Sequence, residues 1–353
     1  MNKETIRDIT VRHSTVLVRV DYNVPMEDGE ITDDLRIRAS LPTLELLRKK
    51  GARRIVLISH LGRPDGEKRK DLSLAPAAER LKELLPGGKV FFVADVSGPD
   101  VEEAVEKLPV GGVLLLENLR FFPGEEKNSA EFAKEIVDAT HADIFVQDGF
   151  AVCHRAHAST SAIVAELPSV AGLLLEKEIT ELSKIAENPA HPFVVVIGGA
   201  KVEDKQPLID KFASKADQIM VGGKIAADGY TSELKNVYVA EDFSDDKKLD
   251  LGPKSTEKIV QVVKSAKTVL WNGLLGAAEQ PEYAKSSEAL AKALGEAKKT
   301  TSVICGGDTT GFVENLQKSN KDLEYSLIST GGGAALEFLL GEEMPGIDSL
   351  DDK

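Results

Sequence analysis

Short apolar segments rich in β-forming residues recur along the whole chain, and a segment of helical periodicity follows many of them. Such nearly continuous hydrophobicity is typical of strands that helices cover on both faces. The alternation therefore predicts parallel, doubly wound α/β sheets. The apolar segments are Val16–Val20, Arg54–Ile58, Val90–Val93, Val113–Leu116, Ile144–Gln147, Phe193–Ile197, Gln218–Val221, Val237–Ala240, Val269–Trp271, Ser302–Cys305 and Ser326–Ile328.

The number of predicted strands is about twice what one compact domain holds, and 353 residues are enough for two domains. Ser169–Glu187 is predicted to form a long helix between the two sheets, ending near Asn188-Pro189 where proline stops propagation. In the first half, Pro42 leaves two readings of 33–50, a kinked helix or a loop before a shorter helix.

The balance of 44 basic against 58 acidic residues gives a net charge of -14, which argues against a generally basic nucleic-acid-binding protein. The first residues lack the apolar core of a signal peptide, and no apolar run approaches the roughly 20 residues that span a bilayer. We expect a cytoplasmic protein in which Cys153 and Cys305 stay reduced.

Basic and polar side chains follow the predicted strands of the first half. Because parallel strands end at one edge of a sheet, these side chains are expected to converge there. Guanidinium groups bind phosphate and carboxylate oxygens bidentately, so the edge is predicted to bind such an anion. Any one of these arginines alone could also be a solvated surface charge. His60 is also consistent with a structural role, and a structural role is what we expect for His154 and His157. The residues concerned are Asp21, Asn23, Arg36, His60, Arg63, Arg120 and Arg155.

In the second half of the chain, glycines follow the predicted strands instead of basic side chains. They are Gly198-Gly199, Gly222-Gly223, Gly273, Gly306-Gly307 and Gly331-Gly332-Gly333. Glycine turns between strand and helix let backbone amides approach a phosphate chain. Lys201 and Lys205 would neutralise phosphate oxygens, and Asp308 would bind Mg²⁺. The chain contains neither a P-loop nor a G-x-G-x-x-G fingerprint.

Several of these segments resemble phosphoglycerate kinase, and they occur in the family's order across nearly the whole chain. They are Arg19–Pro25, Ser59–Pro64, Glu117–Phe121, His154–His157, Gly198–Val202, Trp271–Gly273, Gly307–Thr309 and Ser329–Ala334.

The resemblance implies two Rossmann-like domains. Residues 1–168, with 338–353 packing back, would bind 3-phosphoglycerate; 169–188 would connect the domains; and 189–337 would bind the nucleotide. Asp21, Asn23, Arg36, His60, Arg63, Arg120 and Arg155 would hold the phosphoglycerate. The nucleotide, its phosphates and its Mg²⁺ would be served by Gly199, Lys201, Lys205, Gly222, Gly223, Asn272, Glu279, Gly307, Asp308 and Thr309, with Asp308 as the metal ligand.

The implied reaction is reversible transfer between ATP and the carboxyl group of 3-phosphoglycerate, giving ADP and 1,3-bisphosphoglycerate, in a monomer that binds neither nucleic acid nor membrane. Arg36, Lys201, Gly331 and Gly332 are expected to surround the moving group after hinge closure near 169–187 and 330–333. A weakly active homologue kept as a binding protein is the alternative. Lys224, Lys248 and Leu274 depart from the family's pattern and leave the base preference open.

Overall fold

The computed structural model describes residues 2–353, which divide into two compact units. Unit 1 contains the residues up to Ile179 together with Glu343–Lys353, and unit 2 is Thr180–Glu342. The division falls inside one helix, Leu173–Glu187. The assignment of one substrate to each unit stays a prediction.

Unit 1 contains a six-stranded sheet in the order β5-β6-β4-β1-β7-β8, in which every neighbouring pair is parallel. Its strands, and the small β2–β3 hairpin beside them, are β1 (Thr15–Arg19), β2 (Met26–Glu27), β3 (Glu30–Ile31), β4 (Arg54–Ile58), β5 (Val90–Val93), β6 (Gly112–Leu116), β7 (Ile144–Gln147) and β8 (Ser169–Ala171). The helices that begin in unit 1 before Glu343 are α1 (Leu35–Lys49), α2 (Ala75–Leu84), α3 (Pro99–Lys107), α4 (Pro123–Glu126), α5 (Ala130–Thr140) and α6 (Leu173–Glu187).

The central strand β1 is buried along its whole length, because both faces of the sheet are covered. Val16 and Val18 belong to the core that includes Leu44 of α1, whereas Leu17 belongs to the core that includes Ile136 of α5. This two-residue alternation between two helical layers explains why the strand has no polar face.

Unit 2 repeats this architecture with the strand order β11-β10-β9-β12-β13-β14, again parallel throughout. Its strands are β9 (Phe193–Ile197), β10 (Gln218–Val221), β11 (Val237–Val239), β12 (Thr268–Asn272), β13 (Thr301–Cys305) and β14 (Leu327–Ile328). The remaining helices are α7 (Gln206–Phe212), α8 (Gly223–Ala227), α9 (Pro253–Lys264), α10 (Lys285–Glu296), α11 (Gly307–Ser319), α12 (Gly333–Leu340) and, back in unit 1, α13 (Pro345–Asp348). The chain order reverses direction between β9 and β12, the place where doubly wound sheets leave a crevice for ligands.

The fold class predicted from the sequence is confirmed, one local prediction changes, and one open alternative is resolved. Ser169–Ala171 forms the edge strand β8, so the long helix begins at Leu173 rather than at Ser169. Three residues are too few to show a strand pattern beside the strongly helical segment that follows. Pro42 lies within one unbroken helix, α1, which resolves the alternative left open by the sequence.

The end of the chain is part of unit 1. The N–H of Gly346 donates to the carbonyl of Cys153 (2.9 Å), and the N–H of Ser169 donates to Asp351 Oδ2 (2.8 Å). The N–H of Glu4 donates to the carbonyl of Asp351 (2.9 Å). Residues 343–353 thus contact the start of β8, whose edge is paired with residues 4–6, and reach the loop after β7.

Both cysteines are buried, and neither belongs to a disulfide. None of the helices formed by residues 2–353 combines the length and apolar character needed to cross a membrane.

Candidate active site

The loops after β1 and β4 bring the first polar residues of unit 1 together. Arg36, from the first turns of α1, donates through Nη1 to Asp21 Oδ2 (2.6 Å) and to the carbonyl of Asn23 (3.1 Å). His60 follows β4, and its Nδ1 lies 3.9 Å from Asp21 Oδ1. Asp21 and His60 are nearly buried, whereas Arg36 keeps 27% of its side chain exposed. The carboxylate therefore fixes the guanidinium while one side of it remains accessible.

A second set of contacts extends the cluster to the loop after β6. Asn23 Oδ1 accepts a hydrogen bond from the N–H of Gly62 (2.9 Å), and the carbonyl of Gly62 accepts one from Arg120 Nη1 (2.8 Å). Arg120 belongs to a short 3₁₀ turn, 119–121, and its N–H donates to Asn118 Oδ1 (3.1 Å). Gly62 has φ +63°, so a side chain at this position would be strained.

Arg155 and Arg63 complete the set predicted for unit 1. Arg155 donates through Nε to His154 Nε2 (3.0 Å), and its charge acts on both Arg120 and His157. Arg63 is exposed in the loop after β4. Direct contacts thus join Asp21, Asn23, Arg36, His60 and Arg120, electrostatic influence adds Arg155, and Arg63 is placed nearby by chain connectivity alone.

The two imidazoles in this cluster report the local potential. The pKa of His60 lies well below its usual value because the ring is buried and because Arg19, Arg120 and Arg36 are close. Burial and the charges of Arg120, Arg19 and Arg155 likewise lower the pKa of His157 to about 4. Both rings are therefore neutral at physiological pH, in a field that favours a bound anion.

Unit 2 contains a cleft of about 570 Å³ at the carboxyl ends of its strands. Its floor forms at the reversal between β9 and β12, where the N–H of Gly199 donates to the carbonyl of Leu274 (2.9 Å). A Cβ atom on Gly198 would lie 2.1 Å from the carbonyl oxygen of Leu274, and one on Gly273 would lie 2.3 Å from that of Gly198. Glycine is required here because the two loops are in backbone contact.

Charged side chains line this cleft on several sides. Lys205 Nζ donates to Asn272 Oδ1, while Asn272 Nδ2 is buried with no hydrogen-bond partner in the part of the chain that the structure describes. Lys224 pairs with Asp228 one turn along α8 (2.6 Å), so that its ammonium group is already neutralised. Burial lowers the pKa of Lys205, and the charges of Asp204 and Asp308 oppose this effect.

The helix α11 begins at the cleft and carries Asp308 in its first turn. Its N-cap, Gly306, supplies no side-chain acceptor, and a Cβ on Gly307 would have no heavy atom within 4 Å. The first turn of α11 therefore lines the cleft without a capping side chain, as in helix N-termini that bind phosphate. Thr309 Oγ1 accepts a hydrogen bond from the N–H of Gly273 (3.0 Å), which fixes α11 to the loop after β12.

Most residues predicted for the nucleotide line the cleft, and some do not. Those that line it are Gly199, Lys201, Lys205, Glu279, Gly307, Asp308 and Thr309. Those outside the lining are Gly222, Gly223, Asn272, Gly331 and Gly332. Asn272 accepts a hydrogen bond from Lys205. Gly223 packs against Gly199, because a Cβ atom on Gly223 would lie 2.9 Å from the backbone nitrogen of Gly199.

Sequence reasoning did not select several residues that the structure places at these sites. Lys247, Asp204 and Asp228 line the cleft of unit 2. Arg19 lies directly behind His60 in unit 1, with Nη2 3.2 Å from His60 Nδ1. The signal for Arg19 is visible in the sequence, because a charged residue inside the apolar strand 15–20 needs a buried partner.

The residues of the cleft fit a metal that arrives with a polyphosphate. Among residues 2–353, no three His, Cys, Asp or Glu side chains come together as a metal site of their own. Asp308 nevertheless stands beside Lys205 and the amides of α11, and Mg²⁺ in nucleotide sites commonly takes one carboxylate together with phosphate oxygens and water.

Comparisons with known proteins identify the family of this chain. A family model described as phosphoglycerate kinase matches residues 6–231 and 228–342. The chain belongs to the phosphoglycerate kinase family. It is similar to the phosphoglycerate kinase of Coxiella burnetii, with 32% identity and a TM-score of 0.78, and to that of Pyrococcus horikoshii OT3, with 28% identity and a TM-score of 0.85. Each alignment covers 98% of this chain and 98% of the other.

Membership establishes the activity as well as the fold. A phosphoglycerate kinase transfers a phosphoryl group between ATP and 3-phosphoglycerate, and this chain is such a phosphotransferase. The resemblance noted from the motifs is therefore confirmed at the level of the whole chain, and nothing favours the alternative of a homologue kept only for binding.

Proposed function

We propose that unit 1 binds 3-phosphoglycerate at the cluster of Arg36, His60 and Arg120, and that unit 2 binds the nucleotide in its cleft. The observation that carries this division is electrostatic. The pKa values of two imidazoles in unit 1 are lowered by burial and further by surrounding guanidinium groups, and the charges of those guanidinium groups attract an anion to this edge. The cleft of unit 2 instead offers lysines, glycine turns and a helix N-terminus, which suit a polyphosphate.

The substrate's phosphate and carboxylate would be held by different parts of the cluster in unit 1. Arg120 and Arg155 lie close enough for their charges to act on one another, and they would bind the phosphate together with Arg63. Arg36 is oriented by Asp21 and would stand beside the carboxylate that accepts the phosphoryl group. Asp21 and Asn23 would orient the substrate hydroxyl through their remaining acceptor capacity.

The nucleotide phosphates would lie along the glycine turns of unit 2, with the first amides of α11 and the ammonium groups of Lys201 and Lys205 around them. We assign Asp308 as the protein ligand of Mg²⁺, which would neutralise charge on the β- and γ-phosphates when bound. Asn272 would keep Lys205 aligned. Glu279 lines the same cleft and would contact the ribose.

The chemical step needs alignment and charge stabilisation rather than covalent catalysis. We propose direct in-line transfer after hinge closure, with Arg36, Lys201 and the amides of Gly331 and Gly332 contacting the moving phosphoryl group. No side chain becomes phosphorylated. Exclusion of water by closure would prevent hydrolysis of ATP. We further propose that the protein acts in the cytoplasm as a monomer without nucleic-acid or membrane partners.

A matched pair of arginines on α1 tests the assignment in unit 1. Arg36→Ala is expected to weaken 3-phosphoglycerate binding about 10- to 100-fold, because a charge-assisted hydrogen bond is lost. Arg38→Ala, two residues along the same helix, removes an exposed pair with Asp34 and is expected to leave binding unchanged. Titration calorimetry with 3-phosphoglycerate alone measures both. Equal losses, or none, would contradict the assignment.

A pair of lysines tests the assignment in unit 2. Lys201→Ala is expected to lower kcat by about 10²- to 10³-fold, the usual loss when a group that stabilises transition-state charge is removed. Binding of 3-phosphoglycerate should be retained. Lys235→Ala, an exposed residue that does not line the cleft, should behave as wild type in the same coupled assay. A Lys201 variant with normal kcat would refute the proposed role.

A further inference from the structure

Arg19 is a buried cation at the last position of β1, and it is only 1% exposed. Each part of its guanidinium group has a defined acceptor. Nε donates to Ser159 Oγ (2.8 Å), Nη1 donates to the carbonyl of Val20, and Nη2 lies 3.2 Å from His60 Nδ1. Arginine carries five donors and no acceptor, and it stays protonated in proteins. The direction of all three hydrogen bonds is therefore fixed by Arg19.

The far side of Arg19 is anchored by a second buried pair. Ser159 Oγ donates to Glu125 Oε1 (2.6 Å), and the N–H of Ser159 donates to Glu125 Oε2 (3.0 Å). Because the hydroxyl proton of Ser159 points to Glu125, its oxygen presents a lone pair to Arg19. Glu125 and Ser159 are both fully buried. This network holds the guanidinium group in one orientation behind the anion cluster.

The consequence for His60 follows from the donor on its Nδ1 side. A nitrogen that faces a guanidinium N–H at 3.2 Å must offer its lone pair, so the ring proton has to be on Nε2. The competing arrangement would place the proton on Nδ1 and direct it at Asp21 Oδ1, but that oxygen is 3.9 Å away, beyond hydrogen-bond distance. Burial of the ring lowers the pKa of His60 and so opposes double protonation, and the neighbouring cations Arg19, Arg120 and Arg36 add to this effect.

We propose that Arg19 is a positioning residue that fixes His60 as the neutral Nε2–H tautomer, so that the ring presents an N–H donor to bound phosphoglycerate. This inference rests on the proposed role of His60 in substrate binding. A free imidazole exchanges its proton between the two nitrogens and can also become charged. Arg19 removes both freedoms before the substrate arrives, which pre-organises the site for an anionic or hydroxyl acceptor.

The first test needs no variant beyond an assignment control. Long-range ¹H–¹⁵N correlation spectra of histidine side chains distinguish the two neutral tautomers and the imidazolium. The His60 signals, identified by their absence in His60→Gln, are expected to show the Nε2–H form throughout pH 6 to 8.5 in the ligand-free enzyme. An Nδ1–H form, or titration to the imidazolium within this range, would overturn the proposal.

The second test removes the donor while protecting the buried charge balance. Arg19→Met is compared with wild-type Arg19 in a Glu125→Gln background, so that no buried carboxylate loses its counter-charge. Glu125→Gln alone retains the Arg19 donor and is expected to keep the Nε2–H tautomer. Adding Arg19→Met is expected to release the ring into mixed tautomers or to restore titration. An unchanged ring spectrum would contradict a positioning role.

Kinetics connect the tautomer with function. Adding Arg19→Met to Glu125→Gln is expected to raise KM for 3-phosphoglycerate about tenfold with little change in kcat, because a uniformly binding hydrogen bond is weakened. In a His60→Gln background the same change should alter KM by less than about twofold. An equal rise in both backgrounds would show that Arg19 acts independently of His60 and would overturn the proposal.

Failure of the proposed substrate site would be visible separately. In that case 3-phosphoglycerate would leave the His60 signals of the wild-type enzyme unshifted, although the ligand-free tautomer was Nε2–H as expected.

Discussion

Asp148 is a buried carboxyl group whose ionisation should make the stability of unit 1 depend on pH. It follows β7 and lies at the start of α6, where Oδ1 accepts hydrogen bonds from the N–H groups of Leu174 (2.9 Å) and Leu175 (3.4 Å). Oδ2 is buried with no partner in residues 2–353. Burial raises the pKa of Asp148 from 3.8 to about 7, and the hydrogen bonds only partly oppose this effect.

The sign and size of the effect follow from linkage. Between pH 3.8 and about 7 the folded protein binds the proton more tightly than the unfolded chain, so the stability contributed by the protonated group is lost as pH rises. With these two values, raising the pH from 5 to 8 costs about 2.5 kcal/mol of unfolding free energy. The buried neighbours Tyr22 and Cys153 have pKa values raised by burial, so both remain neutral throughout.

The perturbation is Asp148→Asn, which keeps the Oδ1 acceptor and removes the ionisation. Any cost of burying the new NH₂ group is independent of pH and cancels when the two pH values are compared. We expect the variant to gain about 2.5 kcal/mol relative to wild type between pH 5 and pH 8. Urea-dependent hydrogen exchange, followed on peptides from β1 and β7, measures this for unit 1 specifically.

Glu135→Gln is the matched control, because this exposed carboxylate on α5 also loses one charge in the same unit. Its stability should parallel wild type across the pH range. If the difference between Asp148→Asn and wild type changed by less than about 0.5 kcal/mol, the buried-ionisation argument would be refuted.

Further predictions concern packing and the cleft. Gly273→Ala should cost roughly 3 kcal/mol or more, since φ is +98° and the new Cβ would lie 2.3 Å from the carbonyl oxygen of Gly198, as chemical denaturation can test. Gly307→Ala meets no atom within 4 Å, so its stability should be unchanged while KM for ATP rises, measured in the coupled assay. Leu17→Ala in the fully buried centre of β1 should cost about 3 kcal/mol in urea unfolding, and a value below 1 would contradict its core position. Lys224→Ala breaks only an exposed ion pair, so thermal denaturation should show a change in unfolding free energy of no more than about 0.5 kcal/mol.

The strands and their parallel arrangement could be predicted from the sequence because each buried strand is continuously apolar and ends at a polar or glycine-rich turn. Position relative to the strand ends also indicated most of the candidate site. The edge strand β8 was missed because three residues carry no periodicity, and the β2–β3 hairpin was missed because it contains only two residues on each side.

Residues that act from beneath the surface were the harder ones to predict. Arg19 is visible as a charged residue in an apolar strand, but the sequence does not show what it pairs with, because Ser159 and Glu125 are more than 100 positions away in the chain. Asp204 and Asp228 line the cleft through helical and loop geometry that no motif records. Sequence patterns indicate the side chains that contact a ligand. They are less informative about the buried side chains that hold those ligand-binding groups in place.

The closing segment 343–353 gives unit 1 an unusual schedule during synthesis. The other residues of unit 1 precede unit 2 in the chain, whereas the segment that contacts Ser169 and Cys153 follows residue 342. Unit 2 is continuous in sequence and can complete its contacts first, although its residues emerge later. The edge of β8 is paired with the opposite end of the unit, because the N–H of Ile6 donates to the carbonyl of Ala171 (2.9 Å) and the N–H of Ala171 donates to the carbonyl of Glu4 (2.9 Å). Unit 1 can therefore form its whole sheet before unit 2 is made, and residues 343–353 add their contacts to it afterwards.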